Sequence, residues 1–271
     1  MTAGRTAWRA ITGAGVGLAV AFVALPVVAL VIAVRPGDLV ARLASPGVRS
    51  ALGISLWTSA VALAVVILIG LPVAWWLATS ARRVARWFEG LLVLPLILPP
   101  TVAGLGLLLA FGRLGLLGRV FSALGITVAF TPAAVVMAQV FVGFPFFVLA
   151  AAAGMRGVDR ELLDVARTLG SGPFDLFRRI ALPLALPSLV AGAAMAWARA
   201  LGEFGATITF AGNLPGRTQT MAVAVYAALQ QDLDAAIAVA VLLLAVSAGV
   251  LVAVHRWIPV LSRTDAGRPA R

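Results

Sequence analysis

The chain of 271 residues is 62% hydrophobic and 11% charged, with a mean hydropathy of +1.07. Soluble domains are roughly 45–50% apolar and about 25% charged, so this composition excludes a soluble globular fold and indicates an integral membrane protein. The net charge of +11 reflects basic residues that are all arginine, and it does not indicate nucleic-acid binding because the arginines lie in short segments between apolar stretches.

Six apolar stretches are long enough to cross a bilayer core of roughly 30 Å, which takes about 20 residues of helix. They cover approximately residues 12–34, 54–78, 91–111, 130–154, 185–206 and 234–255. The apolar run of the first exceeds the core of a cleaved signal sequence, so we expect it to be retained. The sequence therefore predicts an all-α integral membrane protein with six transmembrane helices.

The arginines predict the orientation, because cytoplasmic loops of membrane proteins are enriched in basic residues. With the N-terminus inside, the cytoplasmic segments hold Arg5, Arg9, Arg82, Arg83, Arg86, Arg156, Arg160, Arg167, Arg178, Arg179, Arg256, Arg263, Arg268 and Arg271. The outer segments hold Arg35, Arg42, Arg49, Arg113, Arg119 and Arg217. The excess inside predicts that both termini are cytoplasmic.

Three regions follow from this pattern. Residues 1–49 form an N-terminal transmembrane helix and an outer loop, and residues 50–257 form a transmembrane domain of five core helices with a cytoplasmic loop at 159–179. Residues 258–271 form a cytoplasmic tail that we expect to be disordered.

Several kinds of chemistry are excluded by composition. Without lysine the chain cannot form a P-loop for ATP phosphates, and with one His and no Cys it offers no metal site. Carboxylates within the spans are too few for the proton relay of a secondary transporter. We therefore expect no cofactor bound by this chain, and an enzyme is disfavoured.

The segment from Asp159 to Pro187 is the longest polar interval in the chain. Its apolar residues Leu162, Val165, Ala166 and Leu169 follow the helical spacing i, i+3, i+4, i+7. Asp159 is suited to the N-cap and Gly170 to the position after the C-cap, which predicts a helix of about ten residues. Such a helix docks on another protein or packs on its own bundle or the membrane surface.

The same segment carries a spaced pattern. Its members are Asp164-Val165-Ala166, then Gly170 after three residues, and Ile180, Leu182 and Pro183 after nine more. This resembles the EAA loop of the membrane subunits of binding-protein-dependent ABC importers, which reads E-A-A, three residues, G, nine residues, I-x-L-P. The spacing matches throughout. Asp164 replaces Glu and Val165 replaces Ala, and both changes bear on the docking fit.

The resemblance implies a type I ABC importer permease fold in the cytoplasmic membrane of a prokaryote. It also implies a second permease subunit in a homodimer, cytoplasmic ATPase subunits that use ATP and Mg²⁺, and an extracytoplasmic substrate-binding protein. Lipid surrounds the spans, and nucleic acid is not an expected partner. The residues that the resemblance assigns to ATPase coupling are Leu162, Asp164, Val165, Ala166, Leu169, Gly170, Ile180, Leu182 and Pro183.

The substrate is indicated by the segment RALGEFGATITFAGNLPGRTQT that begins at Arg199. Together with LPLILPPTVAGLGLLLAFG at 94–112 it resembles oxyanion importers, most of all the molybdate permease subunits and then the sulfate ones. The resemblance covers most of residues 50–255. It implies import of molybdate, with tungstate handled similarly and sulfate or thiosulfate as the alternative substrate.

Candidate pathway residues are few. Arg199 and Glu203 stand at i, i+4 and can pair, either to fix helix packing or to let Arg199 steer anions. The carboxylate of Glu203 would repel a dianion, so we expect it to hold Arg199 or a helix end. Gln139, Thr207 and Thr209 are the neutral hydrogen-bonding candidates.

Two functions of other classes are open from the residues alone. A self-sufficient secondary transporter or channel is disfavoured by the scarcity of ionisable groups within the spans. A membrane scaffold protein would account for six spans but not for the EAA spacing.

Overall fold

The computed structural model describes residues 2–263, a range that contains helices and no strand. The helices are α1 (Thr2–Ala33), α2 (Pro36–Ala44), α3 (Pro46–Thr79), α4 (Arg83–Ile97), α5 (Pro100–Phe111), α6 (Gly118–Ala123), α7 (Pro132–Arg156), α8 (Arg160–Thr168), α9 (Pro173–Asp175), α10 (Leu182–Leu201), α11 (Gly205–Phe210), α12 (Met221–Leu229) and α13 (Leu233–Arg263). A π-helical turn, Leu176–Ala181, joins α9 to α10. The predicted all-α class is confirmed.

Five helical segments of the described range are long and apolar enough to cross a membrane. They lie in α1, α3, α7, the continuous unit from α9 to α10, and α13. A sixth span exists only if α4 and α5 are counted together, and these two helices are bent by 114°. The predicted span over 91–111 therefore corresponds to this bent pair: its first part lies in α4, which begins at Arg83, and its last part in α5.

Two consecutive prolines break this span. A residue before proline is pushed out of the helical region, and here both Leu98 and Pro99 precede one. Leu98 has φ −62° and ψ 131°, and Pro99 has φ −54° and ψ 135°, so neither continues the helix. The similar LPLALPS at 182–188 has a single proline at this point and stays helical through Pro187.

The fifth predicted span, 185–206, is displaced in the structure. Its helical unit starts at Pro173 and ends at Leu201, and α11 begins separately at Gly205. Glu203 therefore lies between two helices rather than inside one. At the C-terminal end, α13 continues past the predicted boundary at 257, and residues 264–271 of the predicted tail lie outside the described residues.

Helices α3, α7 and α10 form the centre of the bundle, where small residues allow the backbones to approach closely. A Cβ at Gly143 would lie 3.1 Å from the carbonyl oxygen of Ala196, and one at Gly192 would lie 2.8 Å from the Cβ of Ala150. Phe147, Val148 and other apolar side chains fill the space between these contacts. At these contacts the helices are held by van der Waals packing between small and apolar residues.

Arg156 draws together the ends of three helices. It binds both carboxylate oxygens of Glu89 on α4 at 2.9 and 2.7 Å, and it donates to the carbonyl of Leu77 on α3 at 3.3 Å. This end, called the basic end below, carries Arg82, Arg83, Arg86, Arg156, Arg160, Arg167, Arg178 and Arg179. The same end holds α8.

Two ion pairs fasten α2 to the start of α13. Arg42 lies 3.0 Å from Asp232 and Arg35 lies 3.5 Å from Asp234. The part of residues 1–49 that was predicted as an outer loop is instead helical, in α2 and at the start of α3, and Arg42 connects it to the bundle. By contrast, the apolar part of α1, Ile11–Ala33, has no buried share in the described structure and presents its surface to the surroundings.

Candidate functional site

Both ends of α8 are capped as its sequence predicts. The side chain of Asp159 accepts a hydrogen bond from the backbone N–H of Glu161 at 2.9 Å. At the other end Gly170 has φ +88°, its N–H donates to Arg167, and the N–H of Ser171 donates to Ala166. This is a Schellman arrangement, which needs a residue without a Cβ at the left-handed position.

The apolar stripe of α8 is divided between two surfaces. Leu162 is 51% exposed, Val165 58% and Leu169 81%, whereas Ala166 is half-buried against the bundle. Helix α8 belongs to none of the candidate membrane spans of the described residues, so a bilayer core does not account for its exposed leucine and valine. Full burial of one such side chain contributes about 1.5–3 kcal/mol, so the three exposed side chains form a surface suited to docking.

The inner face of α8 rests on a small core of its own. Leu163 is buried against Val158 and Leu176, and Trp75 of α3 and Ile180 pack around this cluster. Leu163 was not predicted from the sequence, although its i, i+3 spacing to Ala166 places it on the same side of the helix. The cluster attaches α8 to the ends of α3 and α10.

The remaining coupling candidates lie where this cluster meets α10. Ile180 is half-buried beside α8, Leu182 is half-buried in the central core, and Pro183 is exposed at the start of α10. The π-helical turn ends here, with the N–H of Leu182 donating to the carbonyl of Phe177. The ring of Phe177 lies 5.5 Å from that of Trp75, which joins this turn to α3.

The charged face of α8 is exposed. Asp164 and Arg167 form an ion pair at 2.6 Å, with both side chains more than half exposed. An exposed pair of this kind contributes about 0.3–0.5 kcal/mol to the helix. Its position beside Val165 places it at the rim of the exposed apolar surface.

The ion pair predicted between Arg199 and Glu203 is present. Nη1 of Arg199 lies 2.5 Å from Oε2 of Glu203. The two groups form an ion pair, but their orientation does not meet the criteria for a hydrogen bond. Glu203 is 1% exposed and Arg199 31% exposed. The other oxygen of Glu203 accepts a hydrogen bond from the N–H of Ala206 at 2.7 Å, so the carboxylate holds both Arg199 and the first turn of α11.

Gln139 and Thr207 are fully buried, and neither polar end of the Gln139 amide nor the Thr207 hydroxyl has a hydrogen-bond partner among the described residues. Gln139 lies one turn from Gly143, where α7 contacts α10, and its neighbour Ala138 shares a core cluster with Ala206 of α11. Both side chains thus belong to the junction of α7, α10 and α11. Buried polar groups without partners are rare and require a reason.

Thr209 differs from these two residues. It is half-buried, and its hydroxyl donates to the carbonyl of Gly205 at 2.8 Å, within α11. A hydroxyl engaged in this way is occupied by the helix itself. The hydroxyl proton of Thr209 is therefore already engaged, whereas that of Thr207 has no partner among the described residues.

Helix α3 carries a row of buried polar residues that was not predicted from the sequence. Its members, Ser55, Thr58 and Ser59, follow i, i+3, i+4 spacing inside an apolar span, which is the signal that could have revealed them. Ser55 accepts from the N–H of Met221 at 2.7 Å, and Ser59 accepts from the indole N–H of Trp197 at 2.9 Å. These hydroxyls tie α3 to α12 and α10.

The chain is similar in sequence to known transport proteins. The family described as "Binding-protein-dependent transport system inner membrane component" matches residues 67–259. A Mycobacterium tuberculosis protein named "Molybdenum transport system permease protein ModB" is 44% identical over 243 residues, 89% of this chain and 91% of that protein. An Escherichia coli protein of the same name is 37% identical over 217 residues, 79% of this chain and 95% of that protein.

Solved structures show the same fold. A bacterial alginate ABC transporter, crystallised with its alginate-bound periplasmic protein, superposes with a TM-score of 0.72 at 14% identity, over 96% of this chain and 95% of that one. The fold is that of type I ABC importer permeases. Since the family match and the similarity to relatives both extend over most of its length, the chain belongs to the binding-protein-dependent transport system inner membrane components, the non-catalytic permease subunits of ABC transporters.

Proposed function

We propose that this chain is the permease subunit of an ATP-driven importer that moves molybdate across the cytoplasmic membrane. The observation that carries the proposal is the identity of 44% and 37%, over most of the chain, to proteins named as molybdenum transport permeases. Tungstate is a second substrate of the same charge and shape. Sulfate or thiosulfate is the alternative substrate class.

ATP drives the import through a separate chain. Moving a negative charge into a cell that is negative inside costs about 2.3 kcal/mol per 100 mV, and a dianion costs twice that. This chain has no lysine and hence no P-loop. We infer that ATP and Mg²⁺ act on the partner ATPase and that this subunit binds no cofactor.

The ATPase docks on the exposed surface formed by Leu162, Val165 and Leu169. An apolar helix face that enters a groove is a common mode of recognition, and the charged pair Asp164–Arg167 supplies the polar rim. The cluster beneath α8 passes displacement of the helix to Trp75 of α3 and to the start of α10. Force from the ATPase enters the bundle by this route.

We place molybdate transfer at the junction of α7, α10 and α11. The Gln139 amide and the Thr207 hydroxyl offer neutral donors there, while Glu203 is balanced by Arg199. Neutral donors bind an oxyanion weakly enough to release it, which transport requires. Arg199 acts mainly by holding Glu203, and its exposed part is the group that can attract anions.

The assembly contains two copies of this chain, two ATPase subunits and an extracytoplasmic substrate-binding protein. Both termini and the basic end face the cytoplasm, because that orientation places the arginine-rich segments inside. The binding protein delivers its substrate at the opposite end, near α2, α6 and α12.

The test is uptake of labelled molybdate by proteoliposomes that contain this chain with its partner ATPase and binding protein. We expect uptake that requires both ATP and the binding protein and that unlabelled tungstate inhibits. Inhibition by sulfate at equal concentration would favour the sulfate alternative. Uptake driven by an ion gradient without ATP would contradict the proposal.

A further inference from the structure

The first three turns of α4 combine exposed apolar side chains with arginines. Val84, Trp87, Leu91 and Leu94 follow i, i+3, i+7, i+10 spacing and are all exposed. Arg82, Arg83 and Arg86 are exposed at the start of the same helix. The surface of α4 thus carries positive charge at the start of the helix and becomes wholly apolar toward Leu94.

Two cavities run along this surface and meet at Leu91 and Leu94. The first, of about 930 Å³, is bordered by Arg83, Arg86 and Trp87. The second, of about 550 Å³, extends between α4 and α7 and is lined only by apolar residues, among them Val140 and Phe144. Both volumes are within the range of about 300–1,000 Å³ that is usual for ligand sites.

The charge of this surface is positive and unbalanced. Glu89 is the acidic residue of α4, and its carboxylate is bound on both oxygens by Arg156. Within residues 2–263, none of the ion pairs involves Arg82, Arg83 or Arg86. An occupant of the first cavity therefore gains from carrying negative charge.

We propose that the two cavities form a binding site for one anionic phospholipid of the leaflet at the basic end. Its phosphate lies at Arg83 and Arg86, Trp87 lies at the level of the headgroup boundary, and an acyl chain enters the groove toward Phe144. Basic pockets beside transmembrane helices recognise anionic headgroups, and tryptophan favours the membrane interface. Carboxylates of a protein partner also pair with arginine, but the wholly apolar groove that continues from the first cavity toward Phe144 is suited to an acyl chain.

The lipid site does not depend on which substrate is transported. It makes α4 a lipid-anchored element, and Glu89 on its opposite side connects it through Arg156 to α3 and α7. Anionic lipid would thereby steady the basic end beside α8.

The first experiment is native mass spectrometry of the full chain in detergent, titrated with phosphatidylglycerol or with phosphatidylcholine of the same acyl chains. We expect one phosphatidylglycerol to bind in clear preference to phosphatidylcholine. In Arg83→Gln/Arg86→Gln, phosphatidylglycerol should bind about thirtyfold more weakly, with phosphatidylcholine unchanged. Arg113→Gln/Arg119→Gln removes the same charge at exposed positions outside the site and should bind as the parent does.

The second experiment uses Gly90, which lines the first cavity and whose Cβ would meet nothing within 4 Å. Gly90→Phe should place a ring in the first cavity, where it competes with the lipid, and weaken phosphatidylglycerol binding about tenfold, while a retained melting midpoint shows that the fold is intact. The chain has no cysteine, so Gly90→Cys gives a single crosslinking site. Equal binding of both lipids by the parent chain, or efficient disulfide dimers through Gly90→Cys, would overturn the proposal, the second in favour of another copy of this chain.

Discussion

Glu203 uses its two carboxylate oxygens for two different contacts, one with Arg199 and one with the N–H of Ala206. A buried charge is costly to keep unless it is both paired and hydrogen-bonded, and this residue is both. The contacts join the last turn of α10 to the first turn of α11 across the break at Gly202. We attribute the fixed geometry of this break to Glu203.

Replacing Glu203 separates these two contacts. Glu203→Gln keeps an oxygen that can accept from Ala206 but loses the charge, and we expect a loss of about 1.5–3 kcal/mol in stability. Glu203→Ala also loses the cap, which costs about 1 kcal/mol more. Melting midpoints of the two variants in one detergent measure the difference, and equal midpoints would show that the cap on Ala206 contributes nothing.

The spacing of Arg199 and Glu203 was enough to predict their pairing, because side chains four residues apart meet on a helix. The break after Leu201 was not predicted, yet the pair forms across it. The burial of Gln139 and Thr207 could not be predicted either. Gln139 lies on α7 and Thr207 on α11, and these two helices pack together although they are distant in sequence.

Helices α5 and α11 are short, and two glycines allow them to pack closely. A Cβ at Gly104 would lie 2.8 Å from the backbone Cα of Ala206, and one at Gly205 would lie 2.6 Å from the Cβ of Pro100. Backbone atoms cannot move aside as a flexible side chain can. The position of α11, and with it Thr207, therefore depends on the absence of side chains at these two positions.

Gly104→Ala should accordingly destabilise the protein, although alanine is the better helix former. We expect a loss of about 1–3 kcal/mol from overpacking, measured as a lower melting midpoint. Gly106→Ala is the matched control in the same helix, because its Cβ would meet nothing within 4 Å, and it should be neutral or slightly stabilising. If Gly104→Ala and Gly106→Ala had the same melting midpoint, the packing described for α5 and α11 would be contradicted.

Local rules predicted α8 well and α4 poorly. The caps at Asp159 and Gly170 depend on neighbouring residues, so sequence was sufficient for them. The bend between α4 and α5 depends on the pair Pro99–Pro100, which hydropathy does not register. The number of apolar residues in a span is the same whether its helix is broken or straight.

The whole molecule divides into a packed bundle, a peripheral α1 and a projecting α8. Hydropathy was sufficient for the class and for the approximate positions of the spans, because each span must satisfy its own backbone in lipid. It could not predict which helices form the centre. That arrangement depends on close contacts such as Gly143 with Ala196, between residues far apart in the chain.

This division also indicates what covers each exposed apolar surface. Exposed residues of α1 and α4 lie on candidate spans and can be covered by lipid, whereas Leu162, Val165 and Leu169 lie on α8, outside those spans, and we expect a protein partner to cover them. The central claim is therefore that this surface of α8 transmits the action of an ATPase to the bundle.

The most direct test compares Val165→Asp with Thr168→Asp in the reconstituted importer. Both variants add one carboxylate to an exposed position of α8, but only Val165 lies on the apolar surface. We predict that Val165→Asp abolishes ATP-driven molybdate uptake and binding of the ATPase, with its melting midpoint unchanged, while Thr168→Asp retains most of both. Uptake by Val165→Asp at the rate of the parent chain would contradict the claim.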